Sequence, residues 1–326
     1  MKTRPSGTPF LRRARYYDYT TGSSPRGNPH DRRASLVTEE KGVNVPKVAA
    51  RPQSKPKLGQ HFLVSEEFSS RIVDAVGDVS QSTVLEIGPG RGILTSMLAK
   101  RTRRLIAVEI DRVLAAQLRL KFGMTRNVEV IEGDILAVDI DSLFGPKPGL
   151  GRPGIELNPE PVTVVGNLPY FITSDILLRL FEFSRYFQSI VIMVQREVAD
   201  RIAAKPGGSE YGVLSATAQL YARVEKLFTL PPGAFDPPPK VHSAVLRLTV
   251  APQLEKLGVA GDGFIDFLRL SFGQKRKTLW NNLKGKYAPA ELRRALAETG
   301  VEATARAETL TLEESAALFR ALRIPA

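Results

Sequence analysis

The sequence predicts an α/β fold: a doubly wound, mostly parallel sheet of seven strands, the last of them antiparallel, followed by a small all-α domain. Short apolar runs alternate with amphipathic helical patterns up to about residue 251, which is typical of βαβ units. The first run ends in a glycine-rich turn, and from about residue 262 the pattern is purely helical. We therefore expect a disordered basic tail over residues 1–54, an α/β domain over 55–251 and a helical domain over 262–326.

The composition favours a globular protein that has no membrane span and no disulfides. With 326 residues, 43% of them hydrophobic, the chain can bury one large core and a second small one. It has no window of about 18 uninterrupted apolar residues, and it has no cysteine, which excludes thiolate metal ligands. Because His30, His61 and His242 are far apart in the chain, we expect no metal site.

Most of the positive charge lies in the first 57 residues. They hold 13 Lys/Arg against 4 Asp/Glu, a net charge of +9, whereas the other 269 residues hold 33 against 30, a net of +3. A tail rich in Arg, Ser, Gly and Pro without apolar periodicity is typical of a disordered segment that attracts polyanions. A solubilising extension, an organelle transit peptide or a misassigned start codon is an alternative, and we expect a cytoplasmic protein.

The elements of the α/β part follow in order. Ser65 can cap a first helix, and the strand Thr83–Ile87 then runs into the glycine turn. Thr173-Ser174-Asp175 can cap a helix that begins at Ile176. A proline-rich stretch over residues 231–240 joins a final antiparallel pair of strands, and we expect it to form a rigid loop beside the ligand-binding edge of the sheet. Further strands are predicted over residues 105–111, 128–131, 164–167, 190–194, 224–230 and 243–250, with a loop over 145–161.

Start and stop signals define the helices of the C-terminal part. Pro289 can occupy the first position of a helix that ends at Gly300, and Thr311 with Glu314 forms a capping box for the last helix. A basic cluster precedes them, and its charge favours binding to phosphate groups, although a solvated helix face explains it nearly as well. The cluster comprises Lys275, Arg276, Lys277, Lys284 and Lys286.

The first half of the α/β domain carries the pattern of a nucleotide-binding sheet. Gly88 and Gly90 let the backbone pass close to a ligand, and Glu109, at the end of the next strand, can accept hydrogen bonds from both hydroxyls of a ribose. Asp134 follows the third strand and could accept a hydrogen bond from the amino group of a cofactor adenine. The alternative is that both acids only solvate strand ends. The third glycine of the dinucleotide fingerprint comes one place early, which weakens the interpretation of the chain as an NAD-dependent dehydrogenase.

The stretch Asn167-Leu168-Pro169-Tyr170 can present an adenine amine to an electrophile. The N6 nitrogen of adenine is a poor nucleophile because its lone pair is delocalised into the ring. The Asn167 side-chain oxygen and the Leu168 carbonyl could accept both N6–H bonds and favour a pyramidal nitrogen. Pro169 would fix that backbone, and Tyr170 offers a stacking surface. The alternative is a buried Asn that is bonded to its own turn.

These residues belong to a series of short segments, spread between Lys55 and Leu283, that resembles the ribosomal RNA adenine N6-dimethyltransferases, and most closely the members that act on the small subunit. The segments are Leu58-Gly59-Gln60-His61-Phe62-Leu63, Glu86-Ile87-Gly88-Pro89-Gly90, Gly166-Asn167-Leu168-Pro169-Tyr170, Gln195-Arg196-Glu197-Val198-Ala199, Tyr211-Gly212-Val213-Leu214-Ser215, Phe235-Asp236-Pro237-Pro238-Pro239-Lys240-Val241 and Arg276-Lys277-Thr278-Leu279-Trp280-Asn281-Asn282-Leu283.

The resemblance implies a Rossmann-like class I methyltransferase sheet, S-adenosyl-L-methionine as methyl donor, and two adjacent adenosines near the 3′ end of small-subunit rRNA as substrate. Tyr170 and Phe235 would stack on the target base, Asn167 and Leu168 would hold its amine, and Lys275, Arg276 and Lys277 would bind RNA. The resemblance implies donor contacts from His61, Leu63, Gly88, Gly90, Glu109, Asp134 and Asn167. We expect a monomer whose partner is the immature small subunit.

Two departures from the family pattern and three rivals bear on this interpretation. His61 and Phe171 each stand where Asn is frequent in the family, which affects the donor contact and the floor of the substrate pocket. One rival is a macrolide-resistance methylase that modifies one large-subunit adenosine. Another is a non-catalytic ribosome assembly factor on the same fold. A dehydrogenase is the weakest rival, because no His or Lys is obviously placed as its acid.

Overall fold

The computed structural model describes residues 60–145, 161–169 and 172–323, and all of them belong to one compact unit. The tail predicted over residues 1–54 lies outside this range, as do Leu58, Tyr170, Phe171 and most of the loop predicted over 145–161.

Strands and helices alternate through the first part of the described chain. They are β1 Phe62–Leu63, α1 Glu66–Val76, β2 Thr83–Ile87, α2 Ile93–Leu98, β3 Arg104–Glu109, α3 Arg112–Phe122, β4 Val128–Glu132, α4 Ile140–Phe144, β5 Val162–Asn167, α5 Thr173–Glu182, β6 Phe187–Gln195, α6 Arg196–Ile202, α7 Val213–Tyr221, β7 Ala222–Leu230, β8 Phe235–Asp236 and β9 Ser243–Val250. Helices alone follow: α8 Leu254–Leu257, α9 Gly261–Ser271, α10 Leu279–Leu283, α11 Pro289–Thr299 and α12 Leu312–Arg323.

Seven strands form the main sheet in the order β4-β3-β2-β5-β6-β9-β7. The pairs from β4 to β6 are parallel, and β9, the last strand in the chain, is antiparallel to both of its neighbours. The predicted fold class is therefore confirmed. Because the chain leaves β2 toward β3 on one side and later returns to β5 on the other, the strand order reverses beside β2. This is the position at which open α/β sheets bind ligands.

Apolar side chains on the two faces of the sheet form separate hydrophobic clusters. In β2, Leu85 and Ile87 belong to one cluster and Val84 to the other, as the alternation of side chains along a strand requires. The first cluster continues into the C-terminal helices through Phe264 and Phe319. The helical part thus shares a core with the sheet, and its separation as a domain remains a prediction.

Most of the predicted caps are present. Ser65 accepts the Phe68 N–H at 3.4 Å, Pro289 opens α11, and Gly300 ends it with φ 68°. The cap predicted for α5 is wrong, since that helix begins at Thr173 instead of Ile176. The Thr173 hydroxyl donates to the Pro169 carbonyl at 3.1 Å, because the proline turn places this carbonyl one helical turn earlier.

A second, two-stranded sheet was missed by the sequence analysis. It pairs β1 with β8 antiparallel, so that Phe62 lies opposite Asp236 and Leu63 opposite Phe235. Strands of two residues leave no periodic pattern, and their partners are far apart in the chain. This small sheet joins the segment before α1 to the prolyl loop.

Candidate active site

The polar residues predicted for the site lie together at the carboxyl edge of the main sheet. Backbone bonds connect the strand ends: the Gly133 N–H donates to the Glu109 carbonyl and the Gly88 N–H to the Val108 carbonyl, both at 2.9 Å. A Cβ placed on Gly88 would lie 3.6 Å from the Asn167 carbonyl oxygen. The ends of β4, β3, β2 and β5 therefore line one continuous edge.

The glycine turn after β2 has a conformation that side chains disfavour. Gly88 and Gly90 have φ values of 64° and 56°, in the left-handed region where glycine carries no steric penalty. The Gly90 N–H donates to Glu109 Oε2 at 3.0 Å, which fixes the turn against the end of β3. A Cβ on Gly90 would lie 2.9 Å from the Phe62 ring, so the turn also needs glycine to accommodate β1.

Glu109 is a buried carboxylate, only 3% exposed, and it keeps unused hydrogen-bond acceptor positions. One oxygen accepts the Gly90 N–H at 3.0 Å and the other the Asp111 N–H at 2.9 Å. A carboxylate has about four lone-pair sites, so each oxygen can accept one more bond. Burial raises the pKa of Glu109, and the two N–H donors partly oppose this rise.

Asp134 lies two residues beyond the end of β4 and is half-buried. Its Oδ1 accepts the Leu136 N–H at 2.9 Å, and its backbone carbonyl accepts the Ala137 and Val138 N–H groups. The side chain is thus held in place by its own turn, and its second oxygen accepts no bond in the part of the chain that the structure describes.

Asn167, the last residue of β5, has its amide orientation fixed by a carbonyl. Its Nδ2 donates to the His61 backbone oxygen at 3.1 Å. Because a carbonyl can only accept, the nitrogen must face His61 and Oδ1 must face away from it. Among the described residues no group donates to this Oδ1. Within the described residues, the Asn167 side chain is bonded to His61 and not to Leu168 or Pro169 of its own turn, which speaks against the predicted alternative.

The two residues after Asn167 differ in whether their backbone carbonyls accept hydrogen bonds. The Leu168 N–H donates to the Met193 carbonyl on β6 at 3.0 Å. The Pro169 carbonyl accepts the Ile172 N–H at 3.3 Å and the Thr173 hydroxyl at 3.1 Å. In the described chain the Leu168 carbonyl accepts no hydrogen bond. It is thus a second acceptor without a donor, in the residue that follows Asn167.

The small sheet of β1 and β8 connects this edge to the prolyl loop. His61 Nδ1 donates to the Pro237 carbonyl at 2.7 Å, while its own carbonyl accepts from Asn167. The Arg91 guanidinium lies over the Phe62 ring, 4.5 Å from its centre, and pairs with Asp236 at 2.8 Å.

Two of the predicted contact residues, Leu63 and Phe235, are paired with each other in this small sheet and are buried. They are 6% and 3% exposed, and both belong to the hydrophobic cluster that contains Val165 and Met193. Tyr170, the other predicted stacking residue, lies outside the described residues. The structure therefore brings Phe235 next to the site but leaves little of its ring accessible.

Comparisons with known proteins show the family of the chain. The family model described as ribosomal RNA adenine dimethylase matches residues 51–323, most of the chain. The chain belongs to this family. Ribosomal RNA small subunit methyltransferase A of Koribacter versatilis is 56% identical over 86% of the chain and 99% of the relative. Its namesake from Acidobacterium capsulatum is 54% identical over 82% and 91%. The predicted family is confirmed.

Two solved structures of RNA- or adenosine-modifying transferases share the fold of this dimethylase. A dimethyladenosine transferase from Plasmodium falciparum is 25% identical, covers 79% of this chain and 96% of its own, and has a TM-score of 0.66. The 23S rRNA methyltransferase ErmE is 28% identical over 80% and 99%, with a TM-score of 0.58. Both rival substrate classes, small-subunit and large-subunit rRNA, are therefore represented among similar proteins.

The predicted RNA-binding residues of the dimethylase lie in a loop. Lys275, Arg276 and Lys277 are exposed between the end of α9 and the start of α10, so the alternative of a solvated helix face does not apply to them. The Lys277 N–H donates to the Gln274 carbonyl at 2.9 Å, and Lys275 Nζ donates to the Ser209 carbonyl. The first bond lies within the loop, and the second holds the loop against the segment before α7.

A buried acid that the sequence analysis passed over lies one residue before Ile87 in β2. Glu86 is 1% exposed, and its Oε2 accepts no hydrogen bond in the described residues. Burial raises the pKa of Glu86 to about 7; Thr95 at the start of α2 lowers it in part, and the nearby Glu109 raises it further. In the sequence, its only signal was a charged residue inside an apolar run.

Within the described part of this dimethylase, no helix is both long and apolar enough to cross a bilayer. The same residues contain no group of three or more His, Asp or Glu side chains arranged to hold a metal ion.

Proposed function

We propose that the protein dimethylates N6 of two adjacent adenosines in the 3′-terminal hairpin of small-subunit (16S) rRNA, with S-adenosyl-L-methionine as methyl donor. One observation carries the proposal: Asn167 Oδ1 and the carbonyl of the next residue, Leu168, accept no hydrogen bond in the described chain, at the end of β5 on the sheet edge that also holds Glu109. Two acceptors are what an exocyclic amine with two N–H bonds requires.

The residues at the edge fit the proposed donor. Glu109 keeps one acceptor position on each oxygen, which matches two neighbouring ribose hydroxyls. Gly88 and Gly90 leave the turn without side chains, and the second oxygen of Asp134 can accept an adenine amino group. When bound, S-adenosyl-L-methionine supplies a methyl group activated by a sulfonium. His61 and Leu63, on the segment that covers the turn, complete the proposed donor contacts.

At the adenine, the chain positions the amine and stabilises charge. Acceptance of both N6–H bonds by Asn167 and Leu168 favours a pyramidal nitrogen and offsets the positive charge that develops on it. Rate then depends on holding that nitrogen in line with the methyl carbon at about 3–3.5 Å. The methylated amine is a strong acid and can lose its proton to water or a carbonyl. This step requires neither a general base nor a metal.

The target base must leave its stack to reach Asn167. Stacking on aromatic side chains offsets the cost of unstacking by about 1–3 kcal/mol per base. We assign this role to Tyr170 and Phe235. Because the Phe235 ring is 3% exposed, its contact with the base requires β8 to shift away from β1 or the base to meet only the ring edge.

The small-subunit substrate is favoured over its rivals by specific observations. The small-subunit relative is 56% identical to this chain, whereas the large-subunit enzyme ErmE is 28% identical. A non-catalytic assembly factor would have no need for paired acceptors at Asn167 and Leu168. We propose that the enzyme acts as a monomer on immature small subunits in the cytoplasm, with Lys275, Arg276 and Lys277 on rRNA phosphates.

Transfer of label to RNA tests the proposal. Full-length protein is incubated with tritiated S-adenosyl-L-methionine and immature small subunits from a strain that lacks the modification. We expect two adjacent N6,N6-dimethyladenosines in the 3′-terminal hairpin, located by primer extension and mass spectrometry. Label in large-subunit RNA would favour the macrolide-resistance type. Binding without label would favour the assembly factor.

A further inference from the structure

At the end of the sheet opposite the proposed active site, three arginines line a hollow of about 480 Å³. Its lining residues, here called the arginine hollow, are Arg103, Arg104, Arg126, Asn127, Val128 and Glu129. β3 begins at Arg104 and ends at Glu109, so the hollow lies at the amino ends of the strands whose carboxyl ends form the donor site. At about 3.3 Å per residue, β3 separates the two by about 17 Å.

The backbone that carries these arginines is held in place by side chains. Asn127 Nδ2 donates to the carbonyls of Ala99 and Thr102 at 2.8 and 2.9 Å. The Thr102 hydroxyl donates to the Ser82 carbonyl at 2.7 Å, and the Leu105 N–H donates to the Asn127 carbonyl at 2.7 Å. The loop before β3 and the loop before β4 are thus bonded to each other, and the arginines project from a fixed frame.

The charge of this frame is strongly unbalanced. Five cations lie on its two loops and at the first residue of β3: Lys100, Arg101, Arg103, Arg104 and Arg126. Among the described ion pairs, Asp74 pairs with Arg101 at 2.6 Å and Glu129 with Arg104 at 2.7 Å. In the sequence, residues 99–104 and 123–129 together carry these five cations and one acid, Glu129. Like charges gathered in this way repel each other until an anion neutralises them.

We propose that the arginine hollow binds backbone phosphates of small-subunit rRNA outside the methylated hairpin, and this rests on the proposed function. Guanidinium groups match phosphate oxygens with paired N–H donors. The lining of the hollow has no aromatic side chain on which a base could stack. We therefore expect the arginines to contact phosphates and not to distinguish between base sequences. Its place at the opposite end of the sheet makes it a second, separate contact of the enzyme with the subunit.

The test compares a long and a short RNA substrate. Arg103→Gln/Arg126→Gln is matched by Arg223→Gln, an exposed cation on β7 at the far edge of the sheet. For immature small subunits, we expect the double variant to reduce the slope of log affinity against log salt by about 1 per arginine. Affinity for an isolated terminal hairpin, and kcat at saturating subunits, should remain those of the wild type.

Several outcomes would overturn the proposal. An unchanged salt slope on the subunit would do so, and so would an equal loss on the hairpin, which would indicate a general field effect. Binding of inorganic phosphate or anionic vesicles to the hollow, with unchanged subunit affinity, would assign it to another ligand. Arg103→Lys/Arg126→Lys should recover most of the slope, which separates lost charge from misfolding. Failure of the proposed function is distinct, since it would abolish methyl transfer by the wild type.

Discussion

The side-chain amide of Asn167 donates to the backbone carbonyl of His61, 106 residues earlier in the chain, across 3.1 Å. This bond decides which atom of Asn167 faces the edge of the sheet, because only the nitrogen can bond to a carbonyl. The same His61 donates its ring Nδ1 to Pro237 in the prolyl loop. One residue thus orients the proposed acceptor of the target amine and fixes the loop that follows Phe235.

Asn167→Ala should abolish most methyl transfer while donor affinity changes little. The variant loses a preorganised acceptor at the atom where charge develops, which typically costs about 10²–10³-fold in kcat. Single-turnover transfer to small subunits, with donor affinity from calorimetry, measures the two effects separately. Gln188→Ala is the matched control, since Gln188 is another strand amide and bonds Thr163 at 3.1 Å. Full turnover by Asn167→Ala would remove this residue from the mechanism.

Much of the site could be predicted from the sequence because its residues stand at strand ends. Glu109 and Asn167 each close an apolar run, and parallel strands bring their carboxyl ends to one edge. The glycine pattern predicted the turn that approaches them. Each of these signals is local, within about ten residues, and the structure places both strand ends and the turn where the sequence predicts them, while the roles of the residues remain predictions.

The remaining features depend on contacts between distant segments. The bond from Asn167 to His61 and the pairing of β1 with β8 join parts of the chain that local periodicity does not relate. The burial of Phe235 follows from that pairing, so its low accessibility had no sequence signal. Glu86 was passed over because a single acid in an apolar strand looks like a strand-end charge until its burial is known.

Glu109→Ala should weaken donor binding. Two hydrogen bonds to a carboxylate, each contributing about 1.5–3 kcal/mol, would be lost, so we expect affinity to fall by at least about 10²-fold. Glu109→Gln should lie between, because its amide turns a donor toward the N–H of Gly90 or Asp111. Calorimetric titration with S-adenosyl-L-methionine measures the affinity. Glu132→Ala, opposite Glu109 on β4, should leave it unchanged, and an unaffected Glu109→Ala would contradict the ribose assignment.

Substituting the loop cations should weaken binding to rRNA. Lys275, Arg276 and Lys277 are exposed on one loop, so their combined change to Gln should lower the salt slope of subunit binding by about 1 for each phosphate that they neutralise. Filter binding over a range of salt concentrations provides the slope. The control is Lys256→Gln, because Lys256 is an exposed lysine in the short helix α8. If the slope is the same for variant and wild type, these residues only solvate the loop.

Stability should fall between pH 5 and pH 8 because of Glu86. Its pKa is about 7 in the folded protein and has an ordinary value of 4.5 when solvated. Between these values the folded state holds a proton that the unfolded chain has lost, so the free energy of unfolding decreases as pH rises. The full difference, from below pH 4.5 to above pH 7, is on the order of 3 kcal/mol. Urea unfolding at pH 5 and pH 8 measures most of it.

Glu86→Gln removes the proton while keeping the shape of the side chain. We expect this variant to gain stability over the wild type at pH 8 and to differ little at pH 5. Glu225→Gln, an exposed acid on β7, is the control and should leave the pH dependence as it is in the wild type. Parallel pH profiles for the wild type and Glu86→Gln would show that another group causes the decrease.

The ion pair of Arg91 with Asp236 links the glycine turn to the prolyl loop. The side chains are 52% and 58% exposed, so the pair contributes at most about 1 kcal/mol. We therefore expect Asp236→Asn to reduce kcat/KM for small subunits by no more than about fivefold, with donor affinity unchanged. Arg91→Ala should lose more than this, because its guanidinium also lies 4.5 Å from the centre of the Phe62 ring.

A double-mutant cycle separates the two contributions of Arg91. If the ion pair holds the prolyl loop in position, Arg91→Ala and Asp236→Asn together should cost less than the sum of the single changes. The exchange Arg91→Asp/Asp236→Arg should recover part of kcat/KM, since the two positions face each other at 2.8 Å. Strict additivity, with no recovery in the exchange variant, would mean that Arg91 acts through Phe62 or RNA and that Asp236 does not hold the loop to the donor turn.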